Sequence, residues 1–312
     1  MMAASMSRQV NADSYTNYNA FTTMCEALCL RGSDLVAVLT AYFDESYTQP
    51  NPKRPNQPLI YGVGCWLSTV DKWTRFDKRW NQILREAGID HFHMSEFESR
   101  IPPYDTWSES KRIKVLRELW KAVFHHQMFG CSPIVHRGDW SRCLQKRPYL
   151  RNPFGRTEYG FDVQMAIGMI NDWCDKKNLD GPIHYVFAHF KGQGNALDHI
   201  FKELLRDRKA KKAYRLTGMW TKGLAKDVSQ LQAADMIAYE AIKRAANEYS
   251  PDENKIRKSL EYLGSLGLDY ANFDPIYFDK DKLRELGNDV VKSRAPLAIL
   301  YKEVGKFKLA LK

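Results

Sequence analysis

The chain has 312 residues, of which 44% are hydrophobic and 12% aromatic, and its formal net charge is +10. This composition excludes a disordered or fibrous protein and is typical of one large α/β domain with insertions. No apolar run approaches the roughly 20 residues of a membrane span, and the six cysteines show no Cys-x-x-Cys spacing. We therefore expect a cytoplasmic protein with reduced thiols and no membrane partner. The charge favours nucleic acid as a partner, with a generically basic surface as an equal alternative.

Residues 1–33 are rich in small and polar side chains and predict a mobile arm. The domain is expected over 34–248, beginning with a continuous apolar run at 35–43 that predicts a central strand covered on both faces. Further patterns predict an antiparallel partner strand at 59–67, strands at 128–136, 183–189 and 214–220, and helices at 69–87, 108–125, 158–176 and 227–247, with another helix ending near 206. Residues 137–156 are expected to form a basic insertion, and 249–312 a helical extension packed on the same domain.

The helix predicted at 227–247 has an aspartate in its apolar stripe. Asp235 recurs at helical spacing with Leu231, Ala238 and Ile242. An ionised carboxylate that is buried without a partner costs several kcal/mol, so Asp235 requires a cation, a hydrogen-bond donor or a polar cavity. A metal ion meets this requirement, and a nearby Lys, Arg or backbone amide is an equal alternative.

A second acidic residue, Asp44, directly follows the predicted central strand. Open α/β sheets bind their ligands at the carboxyl ends of strands. Because side chains alternate along a strand, Asp44 shares the face of Val38 and Tyr42, whereas Glu45 points to the other face. We therefore expect Asp44, rather than Glu45, to be the functional residue.

The segment His91-Phe-His93-Met-Ser-Glu96 supplies a third carboxylate. No further Cys or His follows at zinc-site spacing, so a closed zinc site is not expected. Asp44, Glu96 and Asp235 together suit Mg²⁺ or Mn²⁺, which prefer oxygen ligands and leave positions for water and phosphate. Such a site is typical of phosphoryl transfer, with His93 relaying a proton or orienting Glu96. A purely structural role for His93 is an equal alternative.

Three motifs together resemble the bacterial domain of unknown function 3800: Phe43–Ser46, Phe92–Glu96 and Leu231–Ala238. The resemblance covers about residues 35–245 and implies a ribonuclease H-like fold, a mixed sheet flanked by helices, in a prokaryotic metal-dependent nuclease. It assigns Asp44, Glu96 and Asp235 to the acidic positions of that family.

By the same resemblance, the strand around Tyr185–Phe187 should end in a further acidic residue, but the chain has Ala188 there. Two explanations stay open. Either an original Glu at position 188 was replaced by Ala to inactivate the chain by design, or this member has lost a metal ligand and binds nucleic acid without cleaving it. His189 is a possible partial substitute.

Candidate phosphate contacts lie mainly in the basic stretch at 206–226, namely Arg215, Lys222 and Lys226, with Lys191 in a Lys-Gly-Gln-Gly turn before a predicted helix. A solvated helix end is an equal interpretation of this stretch. RNA and DNA are both candidate substrates. The alternative functions are a non-catalytic nucleic-acid-binding protein and a metal-dependent hydrolase of small phosphorylated compounds. The sequence carries no signal of oligomeric state.

Overall fold

The computed structural model describes residues 38–50, 52, 57–146, 156–189, 194–218, 220–248 and 276–293. Several sequence predictions lie outside these residues. They are the mobile arm at 1–33, the phosphate contact Lys191, residues 147–155 of the basic insertion, and most of the extension at 249–312.

Strands and helices alternate along the chain. The strands are β1 (Leu39–Tyr47), β2 (Ile60–Thr69), β3 (Phe129–Cys131), β4 (Pro133–His136), β5 (Ile183–Ala188), β6 (Thr221–Gly223) and β7 (Ile276–Phe278). The helices are α1 (Val70–Ala87), α2 (Met94–Glu98), α3 (Glu109–His126), α4 (Arg137–Trp140), α5 (Glu158–Lys176), α6 (Gly194–Arg206), α7 (Arg208–Ala213), α8 (Ser229–Glu248) and α9 (Lys280–Ser293). Short 3₁₀ turns at Tyr104–Thr106 and Ala225–Asp227 and a π turn at Ser141–Gln145 complete the described elements.

The seven described strands form one mixed sheet in the order β6-β5-β1-β2-β4-β7, with β3 also paired to β2. β1 lies between β2, to which it is antiparallel, and β5, to which it is parallel. The expectation of an α/β protein with a mixed sheet flanked by helices is confirmed.

Three predicted elements differ from the structure. The strand expected at 128–136 is divided into β3 and β4, because Ser132 and Pro133 do not take part in the pairing with β2. The strand expected at 214–220 is wrong, since only Leu216 forms an isolated bridge there and the strand, β6, begins at Thr221. Residues 276–278, within the extension predicted to be helical, add β7 to the sheet beside β4.

The two faces of β1 are covered by different helices, as its apolar sequence requires. Leu39, Ala41 and Phe43 belong to the core under α5 and α6, whereas Tyr42 packs with the side chains of α8. The sheet is therefore buried on both sides at β1, and polar side chains on this strand require specific partners or a cavity.

Helix α1 forms as its sequence predicts. The Thr69 side chain caps its N-terminus by accepting from the amide of Lys72, and Gly88 ends it in a left-handed conformation with φ of 76°. The predicted apolar face, which includes Trp73 and Trp80, is buried against α3 and α8. No helix in the described ranges is both long enough and apolar enough to cross a membrane.

Candidate active site

Asp44 lies where the parallel pairing of β1 with β5 ends. β1 continues to Tyr47, so the expectation that Asp44 ends the strand is wrong. β5, however, stops at Ala188, which is the next residue in register beside Asp44 after the Phe43–Phe187 pair. Asp44 therefore occupies the position at which α/β sheets bind ligands, although its own strand continues.

Asp235 reaches the same place from α8, which lies directly on the sheet at a glycine. Gly64, the partner of Asp44 on β2, has no room for a Cβ, because such an atom would lie 2.5 Å from the carbonyl oxygen of Ala234 and from the amide nitrogen of Ala238. This close approach brings the helix backbone against the strand. Only glycine fits at position 64, and its lack of a side chain lets the helix lie close enough to the sheet to place Asp235 near Asp44.

The Asp235 side chain is 6% exposed. Its Oδ2 accepts a hydrogen bond of 2.7 Å from the amide of Met94, at the first residue of α2, and lies 3.8 Å from Nδ1 of His93. The alternative interpretation of Asp235, an acceptor for a backbone amide, is therefore correct in part. One amide does not neutralise the carboxylate, and its remaining compensation must come from the cavity.

Gln232, one turn before Asp235, fastens the segment that carries His93. Its Oε1 accepts 2.9 Å hydrogen bonds from the Trp80 indole and from the Phe92 amide, and its Nε2 donates to the carbonyl of Lys226. Two of its three partners, Trp80 and Phe92, come from distant parts of the chain, which no local spacing reveals.

Most of the candidate catalytic residues line one cavity of about 800 Å³. Asp44, His93, Ala188 and Asp235 all line it, and so does Glu45, which the alternation argument had set aside. Because β5 ends at Ala188, none of the strands that the structure describes pairs with β1 on that side from Glu45 onward. Side chains from both faces of β1 therefore border the same space.

Glu96 does not line this cavity. Ser95 of α2 and Ser99, directly after that helix, line the cavity, and one residue corresponds to about 100° around a helix. The expectation that Glu96 joins Asp44 and Asp235 as a direct ligand therefore stays a prediction. Glu96 still lies close enough to Asp235 to raise the pKa of that carboxyl.

The carboxyls of the cavity disfavour one another's ionisation. Burial raises the pKa of Asp44 well above its usual range, and the charges of Glu45 and Asp235 raise it further. Burial also raises the pKa of Glu45, to about 7. The pKa of Asp235 is raised by burial, which the His93 ring and the Met94 amide oppose. In the described part of the chain, His93 is the only group within ion-pair distance of any of these three carboxyls.

His93 precedes α2 and is held by two contacts at one ring nitrogen. Nδ1 lies 3.0 Å from the hydroxyl of Ser95 and 3.8 Å from Asp235. This arrangement leaves Nε2 as the nitrogen for proton transfer in the cavity. A histidine that is fixed beside Asp235 in this way fits the predicted proton relay as well as a purely structural role.

The predicted phosphate contacts separate into two groups. Arg215 is wrong as a substrate contact, because its side chain is 9% exposed and donates to Leu179, Asn171 and Asp175. It joins the end of α5 to the segment before β6. Lys222 and Lys226 are exposed, and Lys226 adjoins Ala225, which lines the cavity.

No three His, Cys, Asp or Glu side chains within the described residues come together as closely as the ligands of one metal ion. Comparison with protein-family models, with curated proteins and with solved structures gave no match.

Proposed function

We propose that the chain is a divalent-metal-dependent phosphodiester hydrolase of the ribonuclease H-like type, acting on RNA or DNA in a prokaryotic cytoplasm. The observation that carries the proposal is the convergence of Asp44, from β1, and Asp235, from α8, on one cavity where the parallel pairing of β1 with β5 ends. The resemblance to the domain of unknown function 3800 supports the same conclusion from the sequence.

The donor set of the cavity fits Mg²⁺ or Mn²⁺. Mg²⁺ is commonly held by one or two carboxylates and completes its shell with water and substrate phosphate, and Asp44 and Asp235 provide two. Burial raises the pKa of both carboxyls, and the charge of Asp235 raises that of Asp44 further; a dication relieves both effects. When bound, the metal would polarise a phosphoryl oxygen and lower the pKa of a coordinated water.

The protein's own groups have separate roles in this proposal. Asp235 is oriented by the Met94 amide, so its geometry is set before any ligand enters. His93, oriented by Ser95, holds or transfers a proton at Nε2. Lys222 and Lys226 attract the polyanion to this side of the sheet and contact its backbone without reading its bases.

Ala188 marks the position of a missing ligand in this proposal. It is the last residue of β5, is nearly buried, and packs with Val186, Val228 and Leu231 on the face that α8 covers. A glutamate at 188 would extend from beside Asp44 into the shared cavity. The chain as it stands then has weak or no hydrolytic activity.

The test is to compare Ala188→Glu with the unaltered chain for Mn²⁺-dependent cleavage of labelled single-stranded RNA and DNA. We expect cleavage to appear or to increase strongly in Ala188→Glu and to be lost again when Asp44→Asn is added. Asp198→Asn, on the exposed face of α6, is the matched control and should leave the cleavage unchanged. Absence of cleavage in Ala188→Glu, together with absence of Mn²⁺ binding, would contradict the proposal.

A second candidate, a nucleic-acid-binding protein without activity, is favoured by one observation, the methyl group at Ala188. The two proposals differ in Mn²⁺ affinity. If Ala188→Glu binds nucleic acid in a salt-dependent manner but takes up no Mn²⁺ by calorimetry, the binding protein is the correct function.

A further inference from the structure

The cavity extends well beyond the carboxyls, along α8. Tyr239, Ile242 and Lys243 line it on the helix side, and Thr48 and Gln49 line it where β1 ends. None of these residues has a role in the hydrolytic site. The cavity therefore has a second half, and its chemistry differs from that of the acidic half.

The contacts of two glycines show how the halves are arranged. Gly64, opposite Asp44, lies beneath Ala234 and Ala238, whereas Gly62, opposite Ser46, would place a Cβ 2.9 Å from the Ile242 side chain. Helix α8 therefore runs along β1 in the same direction as the strand. From Asp235 to Lys243 the helix advances eight residues, which is about 12 Å at 1.5 Å per residue.

The far half contains an aromatic ring with a cation over it. Tyr239 and Lys243 are one helical turn apart, both are half-buried, and Nζ of Lys243 lies 5.2 Å from the centroid of the tyrosine ring. An aromatic ring offers a stacking face to any nucleobase, and a lysine ammonium contacts phosphate. In the same cavity, Tyr239 lies about one helical turn and Lys243 about two turns from Asp235.

We propose that Tyr239 and Lys243 form a nucleotide subsite that holds an unpaired base and its phosphate next to the carboxyl end of the cavity. The subsite rests on the proposed function for the identity of its ligand. It extends that function by naming single-stranded nucleic acid as the substrate class. Tyr239 stacks on the base, and Lys243 contacts the adjoining phosphate.

Two features favour a single strand over a duplex. A cavity of about 800 Å³ falls within the range of roughly 300–1,000 Å³ that small ligands occupy, which is sufficient for a nucleotide. A paired base keeps its faces stacked inside the helix, so a duplex presents no free face to Tyr239. An unpaired base satisfies both requirements.

The test is the affinity of the full chain for a fluorescently labelled single-stranded oligonucleotide, measured by anisotropy with EDTA present so that no cleavage occurs. We expect Tyr239→Ala to weaken binding at least about fivefold and Tyr239→Phe, which keeps the ring, to bind nearly as the unaltered chain. Lys243→Ala should weaken binding and reduce the slope of log affinity against log salt by about one unit. A duplex of the same sequence should bind more weakly and respond little to Tyr239→Ala.

Lys202→Ala is the matched control, because it removes the same charge from an exposed helix position outside the cavity. Its effect on affinity should be clearly smaller than that of Lys243→Ala. Circular dichroism verifies the fold of each variant, and Tyr239→Leu carries the test if Tyr239→Ala does not fold. Equal binding by Tyr239→Ala, Tyr239→Phe and the unaltered chain would overturn the proposal, as would an equal loss for duplex and single strand.

The outcome is separable from that of the proposed function. If Ala188→Glu cleaves with Mn²⁺ while Tyr239→Ala binds as the unaltered chain does, the subsite is refuted and the hydrolase stands. If Ala188→Glu neither cleaves nor binds Mn²⁺ while Tyr239→Ala loses affinity for the single strand, the hydrolase is refuted and the subsite stands.

Discussion

Replacing Gly64 by alanine tests the packing that brings Asp235 to Asp44. The added methyl carbon would lie 2.5 Å from two backbone atoms of α8 and 2.6 Å from Cγ2 of Ile237. Carbon atoms in good contact lie about 3.5 Å or more from their neighbours, so the helix would have to retreat by roughly 1 Å. Overpacking of this kind costs about 1–3 kcal/mol, and we expect the upper end because helix backbone cannot rotate aside as a side chain can.

The measurement is urea unfolding at neutral pH, with Mn²⁺ affinity by calorimetry as a second readout. Gly62→Ala should lower the free energy of unfolding less than Gly64→Ala does. The atom nearest to the added methyl group at 62 is the flexible end of the Ile242 side chain. Gly218→Ala, whose methyl group would meet nothing within 4 Å, is the control and should change stability little. If Gly64→Ala unfolds and binds Mn²⁺ as the unaltered chain does, α8 does not lie on β2 in the described way.

Three further predictions follow from the site. Gln232→Leu leaves the buried donors of Trp80 and Phe92 without an acceptor, and we expect it to lower the free energy of unfolding by at least about 2 kcal/mol in urea titrations. Arg215→Ala should lower the melting temperature and leave nucleic-acid affinity in gel shifts unchanged, because the Arg215 guanidinium already donates to protein groups. A loss of affinity without a loss of stability would show instead that Arg215 contacts the substrate. Burial raises the pKa of Glu45 from 4.5 to about 7. Between these pH values the folded state keeps a proton that the unfolded state releases. The free energy of unfolding therefore falls as the pH rises, by up to about 1.4 kcal/mol per pH unit. Glu45→Gln should flatten this fall in a pH series of unfolding curves, and an unchanged slope would contradict the burial of Glu45.

The sequence predicts well those elements whose pattern is local. Helix α5 begins and ends at the predicted residues, Glu158 and Lys176, because a Thr157 cap and a long apolar stripe define it. The helix that carries Asp235 and the antiparallel pairing of β1 with β2 are also confirmed. Short strands at the sheet edges, β6 and β7, were missed, since three residues carry no periodicity and their pairing is decided by distant neighbours.

The errors in the site have equally specific causes. The sequence did not reveal that the Met94 amide binds Asp235 or that Ser95, rather than Glu96, lines the cavity, because both depend on how α2 meets α8. Glu45 was set aside by the alternation of side chains, a rule that holds for a strand paired on both sides and fails where β5 has ended. The sequence identifies the charged residues, whereas the position at which a neighbouring strand ends determines which of their side chains border the same cavity.

The proposal that Asp44 and Asp235 hold one dication is tested most directly by a crystal soaked in Mn²⁺ and measured for anomalous scattering. The account predicts a peak in the cavity within coordination distance of an oxygen of each carboxylate, and its loss in Asp235→Asn. A crystal with no peak there, or with Mn²⁺ bound only at exposed acids such as Asp198, would contradict it.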